Sequence, residues 1–106
     1  MKRLGWAMSA ALMAAAGQTA AAEQVVRIVD NAYEPDSLQA RVGDTIRFVN
    51  EDADWHAVFV PTAAFALDLG QQEQGEETTL TLTRPGSFEV ECVHHMSMLL
   101  AVEVEP

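Results

Sequence analysis

The chain is short of cysteine, of basic residues and of long apolar runs. Cys92 is the only cysteine among 106 residues, so no disulfide can form within the chain. From Glu23 onward only Arg27, Arg41, Arg47 and Arg84 stand against 16 acidic residues, a net charge of 4 − 16 = −12. Such a surface repels nucleic acid and anionic lipid, and it attracts a basic protein partner. The longest apolar run, Leu4 to Ala16, has 13 residues, whereas a membrane span needs about 20. There is no long helical pattern, no internal repeat and no low-complexity tract. No nucleophile–base pair, acid pair or second metal site is visible, so no enzyme is expected.

What is present begins with an address. Lys2 and Arg3 precede the apolar run, and Ala20-Ala21-Ala22 follows a polar break. That order reads as a secretory signal over residues 1–22, cut before Glu23, and implies a periplasmic protein with no membrane insertion of the mature chain. Residues 23–106 then form one domain of 84 residues. A core this small is marginal and usually needs a staple. An exported chain with one thiol has no disulfide for that purpose. A bound metal would occupy the thiolate and stabilise the state that binds it.

The pattern of the mature part is strand after short strand. EQVVRIVD is β-branched and apolar. NAYEP reads as a turn-rich link. SLQARV places Leu38, Ala40 and Val42 on one face, and TIRFVN places Ile46, Phe48 and Asn50 on one face. HAVFV follows the polar loop EDADW, with His56, Val58 and Val60 on one side. From Pro61 to Glu76 the pattern weakens: AAFALDLG suggests a helical turn and QQEQGEE a solvated loop. TTLTLTR, SFEVEC and AVEVE alternate again, turning inward Leu80 and Leu82, then Phe88, Val90 and Cys92, then Val102 and Val104. About seven short strands with turns between them predict an all-β, antiparallel β-sandwich.

The stretch CVHHMSM, Cys92 to Met98, gathers the thiol, two of three histidines and two of five methionines. Thiolate, imidazole and thioether form a soft donor set. Zinc seldom takes methionine, whereas a His₂Cys plane with a weak axial Met belongs to electron-transfer copper. That set needs a second histidine from outside the stretch. His56, 36 positions before Cys92, is the candidate, because a strand start and a strand end can meet at one pole of a sandwich. His94 competes with His95, but adjacent side chains point to opposite sides in extended backbone. Met96 competes with Met98 and would need a very sharp turn beside His95.

PGSFEVECVHHMSM resembles the end of a cupredoxin, where an aromatic-x-apolar-x-Cys strand runs into Cys-x-x-His-x-x-Met; the short spacing before Met is amicyanin-like and the rest plastocyanin-like. VGDTIRFVNEDADWHAV resembles the other half of that family's site, with Asn50 at a strand end and His56 six positions later. The resemblance covers about Val25 to Val104. It implies a Greek-key sandwich and a type 1 copper ion held by His56, Cys92 and His95 in a plane with Met98 on the axis. It also implies single-electron transfer by Cu(I)/Cu(II) cycling; periplasmic copper handling, as buffer or chaperone, is the alternative. Three residues depart from the pattern. Ala57 stands where many cupredoxins have an Asn that ties the two ligand loops. Met96 replaces a common Pro, and Leu100 a common Gly. Asn50 or Ser97 is then expected to supply the missing support. His95, Met96, Leu99 and Leu100 are expected to form an apolar docking patch. Glu51, Asp52 and Asp54 are expected to steer a basic redox partner, such as a c-type cytochrome, or a periplasmic dehydrogenase. Trp55 reads as a packing residue, and the protein as a monomer.

Overall fold

The computed structural model describes residues 20–92 and 97–106. All but the last three residues of the expected leader lie outside these, and so do His94, His95 and Met96. Nine strands lie among the described residues: β1 (Glu23–Val29), β2 (Ala32–Glu34), β3 (Ser37–Arg41), β4 (Thr45–Asn50), β5 (His56–Val60), β6 (Leu67–Gln72), β7 (Glu77–Thr81), β8 (Gly86–Cys92) and β9 (Leu99–Glu105). They form two sheets, in the orders β2-β1-β4-β7 and β3-β9-β8-β5-β6. Pairing is antiparallel except at β1·β4 and β3·β9, which run parallel. No helix among the described residues is long and apolar enough to cross a membrane.

The seven strands read from alternation are all present, and two more join them. NAYEP is not only a link. Asp30 and Asn31 take positive φ, 53° and 58°, and fold β2 back on β1 as a tight hairpin, the backbone that a two-residue turn of this hand requires. The weak stretch after Pro61 holds a single 3₁₀ turn, Ala63–Phe65, and then β6. That turn seats Phe65 on Phe88, ring centroids 4.8 Å apart.

Period-two patterning builds the core. Val26, Ile28, Ile46 and Phe48 point inward from one sheet; Val58, Phe88, Val90, Val102 and Val104 meet them from the other. Each such side chain stabilises the fold by about 1.5–3 kcal/mol relative to exposure. Val42, expected inward, is 40% exposed, because β3 ends at Arg41 and the chain turns at Gly43. Gly43 has φ +99°, a conformation in which a side chain is strained. Asp44 fixes the same turn: its carboxylate accepts the N–H groups of Ala22 and Arg41, and these hold its pKa below the usual carboxylate range.

Tyr33 ties the two sheets together. It is buried on β2, packs edge-on against Phe48 with centroids 6.0 Å apart, and donates its hydroxyl to the Glu91 carbonyl at 2.9 Å. Burial raises its pKa well above that of free tyrosine. Tyr33→Phe keeps the ring and leaves that carbonyl one donor short. It is expected to cost about 1 kcal/mol, a drop of roughly 4–8 °C in the melting temperature of a domain this size; an unchanged melt would show that the bond contributes nothing.

Candidate metal centre

Five strand ends converge on one pole. β4 ends at Asn50, β5 starts at His56, β6 ends at Gln72, β8 ends at Cys92 and β9 starts at Leu99. The pairings His56↔Gln72 and Val58↔Cys92 set β5 between the other two strands. Strand alternation turns His56 and Cys92 inward, each 0% exposed. Their side chains meet: Cys92 Sγ lies 3.7 Å from His56 Nδ1.

Asp52 sets the state of that imidazole. Its carboxylate lies 2.9 Å from His56 Nε2. A carboxylate only accepts, so Nε2 carries the hydrogen of that bond, and Nδ1 is the ring nitrogen that faces the sulfur. Asp52 is itself held by the N–H groups of Asp30 and Asn31 in the β1–β2 turn, at 2.7 and 2.9 Å. Burial pushes its pKa up, but those two N–H groups and the His56 ring outweigh burial and leave it below the ordinary carboxylate range. A histidine oriented by a carboxylate on its far nitrogen is the usual support of a metal-bound imidazole.

Two further bonds lock the site. The Ala57 N–H donates to Cys92 Sγ at 3.3 Å, so the backbone at this position joins the two ligand strands although its side chain cannot. Asn50, 0% exposed, donates through Nδ2 to the carbonyls of Asp54 and Gln72, each at 3.0 Å, and accepts the Asp52 N–H at 2.9 Å. It therefore supplies the expected support for the loop before His56. Ser97 is exposed.

Met98 is 1% exposed and belongs to the core. The β8–β9 ladder ends at the pair Glu91↔Leu99, and Cys92 and Met98 are the next residues beyond it on either strand. Thus an imidazole, a thiol and a thioether gather at one buried pole, and His95 lies outside the described residues. Among the described residues no three His, Cys, Asp or Glu side chains form a metal cluster. The donors present are soft and sparse, unlike the oxygen cage of a hard cation. Two donor atoms, His56 Nδ1 and Cys92 Sγ, lie 3.7 Å apart, close enough to bind one ion together.

The surroundings correct two expectations. Leu100 is 0% exposed and belongs to the core, because alternation along β9 turns it inward. Leu99 is 47% exposed and alone remains of the apolar patch among the described residues. The acidic loop is also less available than its composition suggests. Glu51 is bonded to both Nε and Nη2 of Arg27, and Asp52 is committed to His56. Sequence reasoning took Asp52 for a surface charge and Gln72 for part of a solvated loop. The spacing of Asp52 four positions before His56 was the one available signal of its role.

A buried Cys–His pair between two sheets, with a buried methionine just before β9, defines a cupredoxin-type sandwich. The chain belongs to that family: the sequence model of the cupredoxin-like domain matches residues 3–102. Amicyanin from Paracoccus denitrificans is 31% identical over 94 residues, 86% of this chain and 72% of that protein. A substituted amicyanin solved in its Cu(I) form superposes with a TM-score of 0.74 at 31% identity, covering 85% of this chain and 89% of that one. A copper-containing nitrite reductase from Thermus scotoductus SA-01 superposes with a TM-score of 0.73 at 26% identity; 79% of this chain matches, but it spans only 22% of that one.

Proposed function

We propose that this protein is a periplasmic type 1 copper protein that carries single electrons between redox partners. His56, Cys92, His95 and Met98 would hold one copper ion. The supporting observation is the buried pair of His56 Nδ1 and Cys92 Sγ, 3.7 Å apart. Copper held by such a set would supply a Cu(I)/Cu(II) couple in a geometry that suits both states. The chain's own residues do the rest. Asp52 keeps the hydrogen on Nε2, Ala57 donates to the sulfur, and the sandwich excludes water from His56 and Cys92. That burial favours a retained ion over one handed on, and so electron transfer over copper handling. The likeness to amicyanin, solved in Cu(I) and oxidised forms, supports the same reading.

The test is direct. Cu(II) added to the purified mature protein is expected to give an intense visible band and the EPR signal of a copper–thiolate site. A folded protein that stays colourless would rule the reading out. For the partner we infer a basic redox protein, a c-type cytochrome or a dehydrogenase, drawn by the net charge and meeting Leu99 near the pole. Electron transfer to a basic cytochrome is expected to slow several-fold between roughly 0.01 and 0.3 M salt. A rate indifferent to ionic strength would remove the steering.

A further inference from the structure

No arginine offsets the charge of Asp52, and the chain has no lysine after Lys2. Arg27 is spent on Glu51 and Glu34, and Arg47 on Glu23 and Glu77. Arg41 ends β3 and Arg84 precedes β8, both at the opposite pole. The ionic partner of Asp52 among the described residues is the His56 ring, and its side chain is only 15% exposed. What holds the carboxylate there is neutral: the N–H groups of Asp30 and Asn31, at 2.7 and 2.9 Å. A fixed negative charge therefore stands on the far nitrogen of a buried imidazole whose near nitrogen faces Cys92.

We propose that Asp52 is a positioning residue of the metal centre whose fixed charge, acting through the His56 ring, favours Cu(II) over Cu(I). The inference rests on the copper reading above and adds to it the direction in which this chain biases the couple. A carboxylate on the far nitrogen makes an imidazole more basic, and so a better donor to the more highly charged ion. The count of charges points the same way. Asp52 and the Cys92 thiolate together balance the two charges of Cu(II). With Cu(I) one negative charge is left over, in a site where His56 and Cys92 are each 0% exposed. An unbalanced charge away from water is costly. Glu51, one position earlier, has no such leverage: it is 41% exposed and already paired with Arg27, so solvent and salt screen it.

The test compares Asp52→Asn with Glu51→Gln, which remove the same charge from adjacent positions. In the copper-loaded protein, against a mediator of fixed potential, the Cu(II)/Cu(I) ratio is expected to fall about tenfold in Asp52→Asn and less than about twofold in Glu51→Gln. The larger fall should persist in about 0.5 M salt, because the pair is mostly enclosed. Asp52→Ser carries the same expectation and stands in for Asp52→Asn if the amide disturbs the turn. A merely structural Asp52 would lower the metal-free melt and leave the ratio at the parent's value; that result, or an equal fall in Glu51→Gln, overturns the proposal. The metal-free parent gives a check that needs no variant. Ring-nitrogen NMR at about pH 9, above the ordinary histidine range, is expected to place the His56 hydrogen on Nε2, and a hydrogen on Nδ1 overturns the proposal as well. A folded parent that takes up no copper would instead overturn the copper reading, and would be seen before any variant is made.

Discussion

Cys92→Ser is expected to leave a folded protein that no longer turns blue with copper. The two side chains differ little in size, and the site is built to receive either. Cys92 is 0% exposed at the end of β8, and the Ala57 N–H that bonds its sulfur can bond a serine oxygen as well. The cost in the metal-free melt is therefore that of placing a hydroxyl in an apolar pocket with one partner, about 1–3 kcal/mol. The effect on the metal is of another order. Serine stays protonated near neutral pH and is a hard donor, so it offers copper neither the charge nor the softness of a thiolate. The intense visible band, which arises from sulfur, is expected to vanish altogether. Copper should also stop protecting the fold. A ligand at 100 times its Kd stabilises a protein by about 2.7 kcal/mol, which in a domain of this size raises the melting temperature by more than about 10 °C. The parent should show that rise and Cys92→Ser should not. A serine variant that kept the band would remove Cys92 from the site.

The placement of Cys92 was legible because it needed only period two. Phe88, Val90 and Cys92 alternate on one strand, and the structure buries all three. The same rule correctly turned Asn50 and His56 inward. It failed where the local pattern is not two-sided. β6 lies at a sheet edge and buries only Gln72 outright, so its sequence shows little contrast between faces. A register shift between Val58 and Phe59 and the positive φ of Gly70, 84°, break its phase further. β2 has three residues, too few for any periodicity. The parallel pairings β1·β4 and β3·β9 leave no mark on alternation at all.

The supports of the site were harder to read than its donors. Cysteine, histidine and methionine are rare enough for their spacing to carry meaning, whereas Asp52 sits among Glu51 and Asp54 in a loop that composition alone marks as solvated. Only the fold shows that the β1–β2 turn points two N–H groups at one of these acids. Ala57 shows the reverse limit. Its side chain reads as a lost hydrogen bond between the ligand loops, but the bond to Cys92 comes from the backbone N–H, which any residue there except proline can supply.

Asn50→Ala is expected to be the most damaging change at a residue that touches no metal. One side chain spans β4, the ligand loop and β6 through three hydrogen bonds, all made from a position 0% exposed. Alanine removes the donor from two backbone carbonyls and the acceptor from one N–H, and leaves space behind. Each buried group left unsatisfied costs about 1–3 kcal/mol. With partial relaxation a total of about 3–4 kcal/mol is expected, a fall of more than about 10 °C in the melt. The loop also carries Asp52, so its loosening should reach the imidazole. Losing such support typically weakens metal binding by about 10–100-fold. Asn50→Asp separates the parts. It keeps an acceptor for the Asp52 N–H, cannot donate to the carbonyls of Asp54 and Gln72, and adds a charge beside Asp52. It should therefore be at least as harmful near neutral pH. Glu51→Gln, next in sequence, breaks only an exposed pair with Arg27 and should cost under about 1 kcal/mol. Calorimetric melts and competition for Cu(I) against a coloured chelator measure both effects. If Asn50→Ala matched Glu51→Gln in both, the pole would not be held together by Asn50, and His56 would owe its orientation to the strand and to Asp52 alone.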